Sequence, residues 1–186
     1  AAREAFLSSQ VNTMDSDEDI GNLLSKNLQR RKNLEVPGGP IDCVIDTDTY
    51  NEIDDQFALS YLLLSGDKLH TKALFAAPFF NSNSTSPEDG MERSYDEILK
   101  LLTLLHREDM KEYTYRGSRT YLPDEHTPVE SPAARELIAM SKEYDADTPL
   151  YVVAIGCITN VASALLLDPT LAGRIVVVWL AGRAQH

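Results

Sequence analysis

Five acidic side chains fall within the ten positions from Asp46 to Asp55, in the stretch CVIDTDTYNEIDDQFAL. The residues before them are apolar and indicate a buried strand, at whose end side chains two positions apart share a face. Asp46 and Asp48 are therefore expected to converge. Asp54 and Asp55 follow a short loop and begin a helical pattern, whose dipole favours nearby anions by about 0.3–1 kcal/mol.

The helix dipole accounts for one or two acids but not for four in one place. Like charges in a low-dielectric cleft raise each other's pKa unless a cation neutralises them. A hard divalent cation with oxygen ligands satisfies this requirement. The alternative is structural, with Asp54 as an N-cap and Asp55 as a solvated acid of the first helical turn.

The composition limits the class of protein. A chain of 186 residues with 43% hydrophobic and 25% charged content can bury one sizeable core, so we expect one main domain. The formal net charge of −12 disfavours nucleic acid and anionic membrane surfaces as partners. The apolar stretches are shorter than the roughly 18 residues of a membrane helix, and the N-terminus does not have the order of a signal peptide. We therefore expect a soluble chain.

Two features bear on compartment and domain limits. Cys43 and Cys157 lie in apolar patterns, which suits buried free thiols and predicts a cytoplasmic location. Residues 1–39 are polar and end in VPGGP, and we interpret them as a mobile or loosely helical extension before a domain over residues 40–186.

Apolar runs alternate with amphipathic helical patterns from residue 41 onward. The predicted strands are IDCVIDT, HTKALFAAP, YTYRG, PLYVVAIG and RIVVVWLAG, and the predicted helices are DDQFALSYLLLSG, SPEDGMERSYDEILKLLTLLHRED, SPAARELIAMSKEY and CITNVASALLLDP. This alternation predicts an α/β fold, a mostly parallel sheet with helices on both faces. Ligands of such sheets bind beyond the carboxyl ends of the strands, where the 46–55 loop and the 155–160 turn lie.

These two segments together resemble the inosine-uridine preferring nucleoside hydrolase family. DTDTYNEIDDQFAL is similar to its Asp-rich strand-end motif, and VVAIGCITNVASALLLDP followed by IVVVWLAG is similar to its second motif, over about residues 41–182. The resemblance implies a Rossmann-like nucleoside hydrolase core. It also implies Ca²⁺-dependent hydrolysis of the N-glycosidic bond of nucleosides to ribose and free base, in purine or pyrimidine salvage.

The resemblance assigns roles to individual positions. Asp48 matches the family aspartate that binds calcium and acts as the general base on water. Asp55 matches the bidentate calcium ligand, and Ile155 the strand-end residue whose main-chain carbonyl binds calcium. Asp54 matches the carboxylate that holds a ribose hydroxyl. Asp46 is expected to support the loop from behind.

Three further positions are polar residues of neighbouring loops. Thr159 and Asn160 complete the second motif, and we favour helix capping as their role. Relatives bind ribose with an asparagine after the second strand, for which Asn81 and Asn83 are the candidates. We favour Asn81, with turn formation as the alternative for both.

The sequence departs from the family pattern in two respects. The loop TYNEI between Asp48 and Asp54 is longer than is common, so Asn51 or Glu52 is expected to intrude, and purine versus pyrimidine preference stays open. Family members also continue beyond LAGRAQH and supply there another calcium-binding aspartate and a leaving-group histidine. We therefore expect a C-terminally truncated chain with half a metal site, weak calcium binding and little turnover. The histidines present are predicted to be structural or solvated: His70, His106, His126 and His186.

Two alternative functions remain at this stage. VIDTDT is also similar to the strand-end motif of haloacid-dehalogenase-like phosphatases, in which Asp46 would be the nucleophile, Asp48 the acid/base and magnesium the cofactor. NEIDD has no role in that family. The other alternative is a calcium- or nucleoside-binding remnant without catalysis. Oligomeric state is open, although an exposed edge at RIVVVWLAG favours association, including a homo-oligomer.

Overall fold

The structure, a computed structural model, describes residues 17–180. The chain divides into two compact units, Ala1–Val36 and Pro37–His186. In the first unit, helix α1 spans Asp17–Asn33 and has a basic last turn. Residues 1–16 of the predicted extension lie outside the described residues, and the proposed boundary at residue 39 stays a prediction.

The second unit contains one sheet of five parallel strands in the order β3-β2-β1-β4-β5. The strands are β1 (Ile41–Thr47), β2 (Leu69–Ala76), β3 (Thr114–Arg116), β4 (Leu150–Ala154) and β5 (Ile175–Trp179). The helices are α2 (Ile53–Leu64), α3 (Pro87–Leu104), α4 (Pro132–Ser141) and α5 (Thr159–Leu167), with 3₁₀ turns at Glu108–Tyr113 and Pro169–Gly173. The predicted α/β architecture with a parallel sheet is confirmed.

Local sequence signals explain where two of the helices begin. Ser86 and Ser131 each precede a proline at the first helical position, and their hydroxyls accept hydrogen bonds from the amides of Asp89 and Ala134. Serine caps the free amides, and proline at the next position loses no hydrogen bond there. The cap predicted at Ser131 is confirmed.

The sheet separates two apolar cores because alternate residues of each strand face opposite ways. Cys43 and Ile45 of β1 pack with α2 and α3, whereas Val44 packs with α4 and α5. Helices therefore cover both faces, as predicted. The same alternation directs Asp46 towards α5 and Thr47 towards α2, as their hydrogen bonds to those helices show.

The strand order places a topological switch point between β1 and β4. From β1 the chain continues to β2 on one side, while β4 pairs with the other side of β1. The connections leave the two strands in opposite directions, which opens a crevice at their carboxyl ends. This crevice is where the predicted site residues are expected.

Two further findings concern the described part of the chain. Cys43 is buried and Cys157 half-buried, and both are free thiols. Among residues 17–180, no helix combines the length and apolar character needed to cross a membrane.

Candidate active site

A cavity of about 460 Å³ lies at the carboxyl ends of β1 and β4. It is lined by Asp48, Asn51, Glu52, Asp54, Asp55, Ala58, Ile155 and Leu180. Four of the seven predicted site residues therefore share one cavity, together with Asn51 and Glu52 of the longer loop. The other three do not line it: Asp46, Asn81 and Asn160.

Asp48 follows the last residue of β1 and is held by the loop after it. The Asn51 side-chain amide donates to Asp48 Oδ2 at 3.0 Å, and the Asn51 backbone amide donates to the Asp48 carbonyl at 2.7 Å. On its other side the carboxylate lies against Gly156, where an added Cβ would be 2.7 Å from Asp48 Oδ1. Only glycine at this position allows the end of β4 to approach so closely.

Asp55 lies in the first turn of α2, and its side chain is buried next to β1. The Thr47 hydroxyl donates to Asp55 Oδ1 at 3.0 Å. Thr49 Oγ1 is 3.0 Å from Thr47 Oγ1, and since the single Thr47 proton goes to Asp55, Thr49 is the donor of that bond. This short relay fixes one oxygen of Asp55.

Asp54 is exposed and lines the cavity. The N-cap residue of α2 is Glu52, which makes no side-chain capping hydrogen bond. The alternative in which Asp54 is only an N-cap is therefore wrong. The acids at this helix start are not satisfied by the helix itself.

The cavity raises the pKa of both buried carboxyl groups. Burial raises the pKa of Asp55 to about 7, and the charge of Asp48 adds to the effect. Burial raises the pKa of Asp48 to about 6; the hydrogen bond from Asn51 opposes this effect, and the charges of Glu52 and Asp54 add to it. Two carboxylates that are costly to ionise side by side favour a bound cation.

The acidic side chains of the cavity determine which metal ion it could hold. Within residues 17–180, no three His, Cys, Asp or Glu side chains form a metal-binding cluster. The cavity instead offers the two buried carboxylates of Asp48 and Asp55, and Ile155 lines it beside them. Oxygen donors of this kind suit Ca²⁺, so these residues fit part of a calcium site.

Asp46 lies behind the cavity and is almost fully buried, with 1% of its surface exposed. Its Oδ1 accepts a 2.8 Å hydrogen bond from Asn160, while Oδ2 has no partner among the described residues. Burial raises its pKa to about 7. A carboxylate in this position cannot reach a substrate in the cavity, which argues against its being the nucleophile of a phosphatase.

Asn160 connects four segments instead of capping a helix. Its side-chain nitrogen donates to Asp46 and to the Ala76 carbonyl, and its oxygen accepts from the Ser118 amide and hydroxyl and from the Ser131 hydroxyl. The predicted capping role is wrong, because α5 begins at Thr159 after Ile158 and no side chain caps it. Asparagine is common at helix N-caps, but the Asn160 side-chain amide donates instead to the buried Asp46.

Asn81 is exposed, and both ends of its side chain are occupied. Its amide donates to Asn51 Oδ1, and its Oδ1 accepts from the Asn83 backbone amide at 2.8 Å. The Asn83 side chain also donates to the Asn51 carbonyl. The turn-forming alternative therefore describes the observed contacts, and the assignment of Asn81 to ribose stays a prediction.

Asn51 is the residue of this site to which no role was assigned. It lines the cavity, holds Asp48, and is itself held by Asn81 and Asn83. The longer loop after Asp48 was the only signal for it in the sequence. None of the histidines within residues 17–180 lines the cavity, and His70 pairs with Asp42 instead.

The fold is a doubly wound parallel sheet with an acidic cavity at its switch point, the place where such sheets bind ligands. The structure is similar to that of a purine-preferring ribonucleoside hydrolase from Gardnerella vaginalis, with a TM-score of 0.58 and 21% sequence identity. The match covers 76% of this chain and 49% of that protein, so the chain spans about half the length of this relative.

The sequence comparison identifies the family. Residues 43–168, about two thirds of the chain, match the family described as "Cellulose-binding Sde182, nucleoside hydrolase-like domain". The chain belongs to this nucleoside hydrolase-like family, as the two motifs predicted. All seven residues singled out in the sequence lie within the matched range.

Proposed function

We propose that this chain belongs to a calcium-dependent hydrolase that cleaves the N-glycosidic bond of nucleosides to give ribose and the free base. One observation carries the proposal: Asp48, Asp55 and Ile155 line a single cavity at the switch point of the sheet. Family membership and the raised pKa values of the two carboxyl groups also support it.

Asp48, Asp55 and the Ile155 carbonyl would hold the calcium ion. When bound there, calcium would supply a Lewis acid that lowers the pKa of water and binds neighbouring sugar hydroxyls.

Asp48 is the proposed general base. In the calcium-free protein burial raises its pKa to about 6, and a bound calcium ion would lower that pKa, so the carboxylate would be ionised at neutral pH and able to accept a proton. The Asn51 amide donates to Oδ2 and so fixes the orientation of the carboxylate that would accept the proton. Asp54, exposed at the cavity, accepts a hydrogen bond from a ribose hydroxyl.

The charge of the cavity restricts the substrate class. Cleavage of an N-glycosidic bond passes through a sugar that resembles an oxocarbenium ion, and nearby carboxylates stabilise its positive charge. The same carboxylates repel a phosphate group. The substrate is therefore a neutral nucleoside and not a nucleotide.

Binding without efficient catalysis is the second candidate, and one observation favours it. No histidine of the described residues lines the cavity, so none is placed to protonate a departing base. We expect this chain by itself to bind calcium weakly and to release ribose slowly. A cytoplasmic role in nucleoside salvage stays a prediction.

The test compares the chain with Asp48→Asn and with Asp67→Asn, an exposed acid at the opposite end of α2. Calcium binding by calorimetry should be lost in Asp48→Asn and kept in Asp67→Asn. Ribose release from inosine or uridine, however slow, should follow the same order and exceed release from inosine monophosphate. Equal calcium binding by all three proteins would refute the site. Calcium binding without ribose release would support the binding function.

A further inference from the structure

Helix α2 carries apolar side chains on two opposite faces, with polar residues such as Gln56 and Ser60 between them. Leu59, Leu62 and Leu63 are buried against the sheet. Four large apolar side chains on the same helix are 69–72% exposed and are called the outer stripe here: Ile53, Phe57, Tyr61 and Leu64.

The outer stripe points away from the sheet. Its members are separated by four, four and three residues, which places them on one face of a helix. At 3.6 residues per turn this face lies opposite the buried leucines. A helix that packs beside α2 on the same face of the sheet would therefore not cover it. A contiguous exposed apolar surface of this kind marks a site of interaction. Within residues 37–180 of the second unit no side chain buries the stripe, so its apolar surface is available to a partner.

We propose that the outer stripe is the centre of a two-fold symmetric interface between two copies of this chain, with α2 antiparallel to α2 of the second copy. The order along the stripe is aliphatic, aromatic, aromatic, aliphatic, which reads the same in both directions. A two-fold axis near Leu59 places Ile53 against Leu64 of the other copy and Phe57 against its Tyr61. This self-complementarity is what an isologous dimer requires.

The charges at the two ends of the helix favour the antiparallel arrangement. Glu52 and Asp54 are exposed at the start of α2, and Lys68 is exposed just after its end. Antiparallel pairing brings the acidic end of one copy to Lys68 of the other, whereas parallel pairing brings the acidic ends together. The electrostatic preference for antiparallel pairing is modest, because the negative charge of Asp67 lies beside Lys68 and opposes its attraction to the acidic end.

The apolar area is large enough for an interface centre but not for a whole interface. Four large apolar side chains at this exposure present on the order of 500 Å² per copy, against roughly 800 Å² per partner in a typical stable interface. The polar residues flanking the stripe would form the rim. We therefore expect a reversible dimer whose dissociation is seen at micromolar concentrations.

Sedimentation equilibrium of the full chain tests the interface. The double variant Phe57→Lys/Tyr61→Lys places charges at the centre of the interface and should raise the dimer dissociation constant by on the order of 100-fold. The control is Val178→Lys in the exposed edge strand β5, which is the alternative surface for association. This substitution should leave the dissociation constant unchanged. Because these side chains are exposed, both variants should keep the wild-type circular dichroism spectrum.

Three results would overturn the proposal: a wild-type monomer at concentrations up to about 100 μM, loss of the dimer only in Val178→Lys, or an unchanged dimer in the α2 variant.

Disulfide trapping tests the orientation. In the antiparallel arrangement the two Ile53 positions are roughly 16 Å apart along the helix axis at a rise of about 1.5 Å per residue, too far for a disulfide. A mixture of Ile53→Cys and Leu64→Cys chains should therefore form the mixed disulfide, and each variant alone should not. Efficient trapping of Ile53→Cys alone would indicate a parallel arrangement and refute the two-fold pairing.

Discussion

Replacing Asn160 by alanine should remove one of the main polar connections between the two halves of the sheet. The side chain is almost fully buried and makes five hydrogen bonds, to Asp46, Ala76, Ser118 and Ser131. Asp46 Oδ2 already has no partner among the described residues, so the substitution leaves that buried carboxyl group with no side-chain donor.

The expected loss of stability follows from these contacts. A buried amide left without its acceptor, here that of Ser118, costs about 1–3 kcal/mol, and the bond to an ionised Asp46 is worth about 1.5–3 kcal/mol. We therefore expect Asn160→Ala to lower the free energy of unfolding by about 3–5 kcal/mol. This is a large fraction of the roughly 5–15 kcal/mol that stabilises a typical domain.

The loss should depend on pH. Burial raises the pKa of Asp46 to about 7, so the folded protein holds it protonated at pH 5 and ionised at pH 8. The hydrogen bond from Asn160 lowers the pKa of Asp46, which means that it stabilises the ionised carboxylate more than the protonated one. The destabilisation should therefore be larger at pH 8 than at pH 5.

Urea unfolding of calcium-free protein provides the assay, followed by circular dichroism and by fluorescence of the single tryptophan, Trp179. Asn83→Ala is the matched control, because it removes an exposed asparagine side chain with one hydrogen bond. It should cost less than about 1 kcal/mol. A loss below about 1 kcal/mol for Asn160→Ala at pH 8, or an equal loss at pH 5, would refute the role given to Asn160.

Three further predictions concern the cavity. Asp55→Asn should raise calcium-free stability by about 1–3 kcal/mol at pH 8 but not at pH 4, because the folded pKa of about 7 lies above the ordinary 3.8 and ionisation opposes folding. Urea midpoints measure this, and no gain at pH 8 would contradict it. Asn51→Ala should weaken calcium binding about 10-fold in calorimetry by releasing Asp48, and an unchanged affinity would exclude that positioning role. Gly156→Ala should abolish calcium binding and cost about 1–3 kcal/mol, because its Cβ would meet the Asp48 carboxylate, and a variant with wild-type affinity would show that the contact is dispensable.

The secondary structure could be predicted because its signals are local. Short runs rich in apolar and β-branched residues, such as IDCVIDT, correspond to strands, and β1 spans Ile41–Thr47 as expected. Helix ends were harder to predict. The last predicted helix was placed near Cys157 but begins at Thr159, because the turn before it packs against Asp48 and cannot be helical.

The candidate site could be predicted only in part. Asp48, Asp54 and Asp55 are close in the chain and attached to one strand end and one helix start, so their shared cavity follows from local structure. The roles of Asn51 and Asn160 depend on partners far away in sequence. No local pattern specifies which distant group takes an asparagine side chain.

The sequence by itself determined the order of strands and helices, the acidic loop at a strand end, and the family. Only the tertiary structure decided that Ile155 joins Asp48 in one cavity, that Asp46 is buried behind it, and that one face of α2 is exposed. The physical reason is the range of the forces involved. Periodicity and capping act within one element, whereas burial, pKa and hydrogen-bond partners depend on how separate elements pack together.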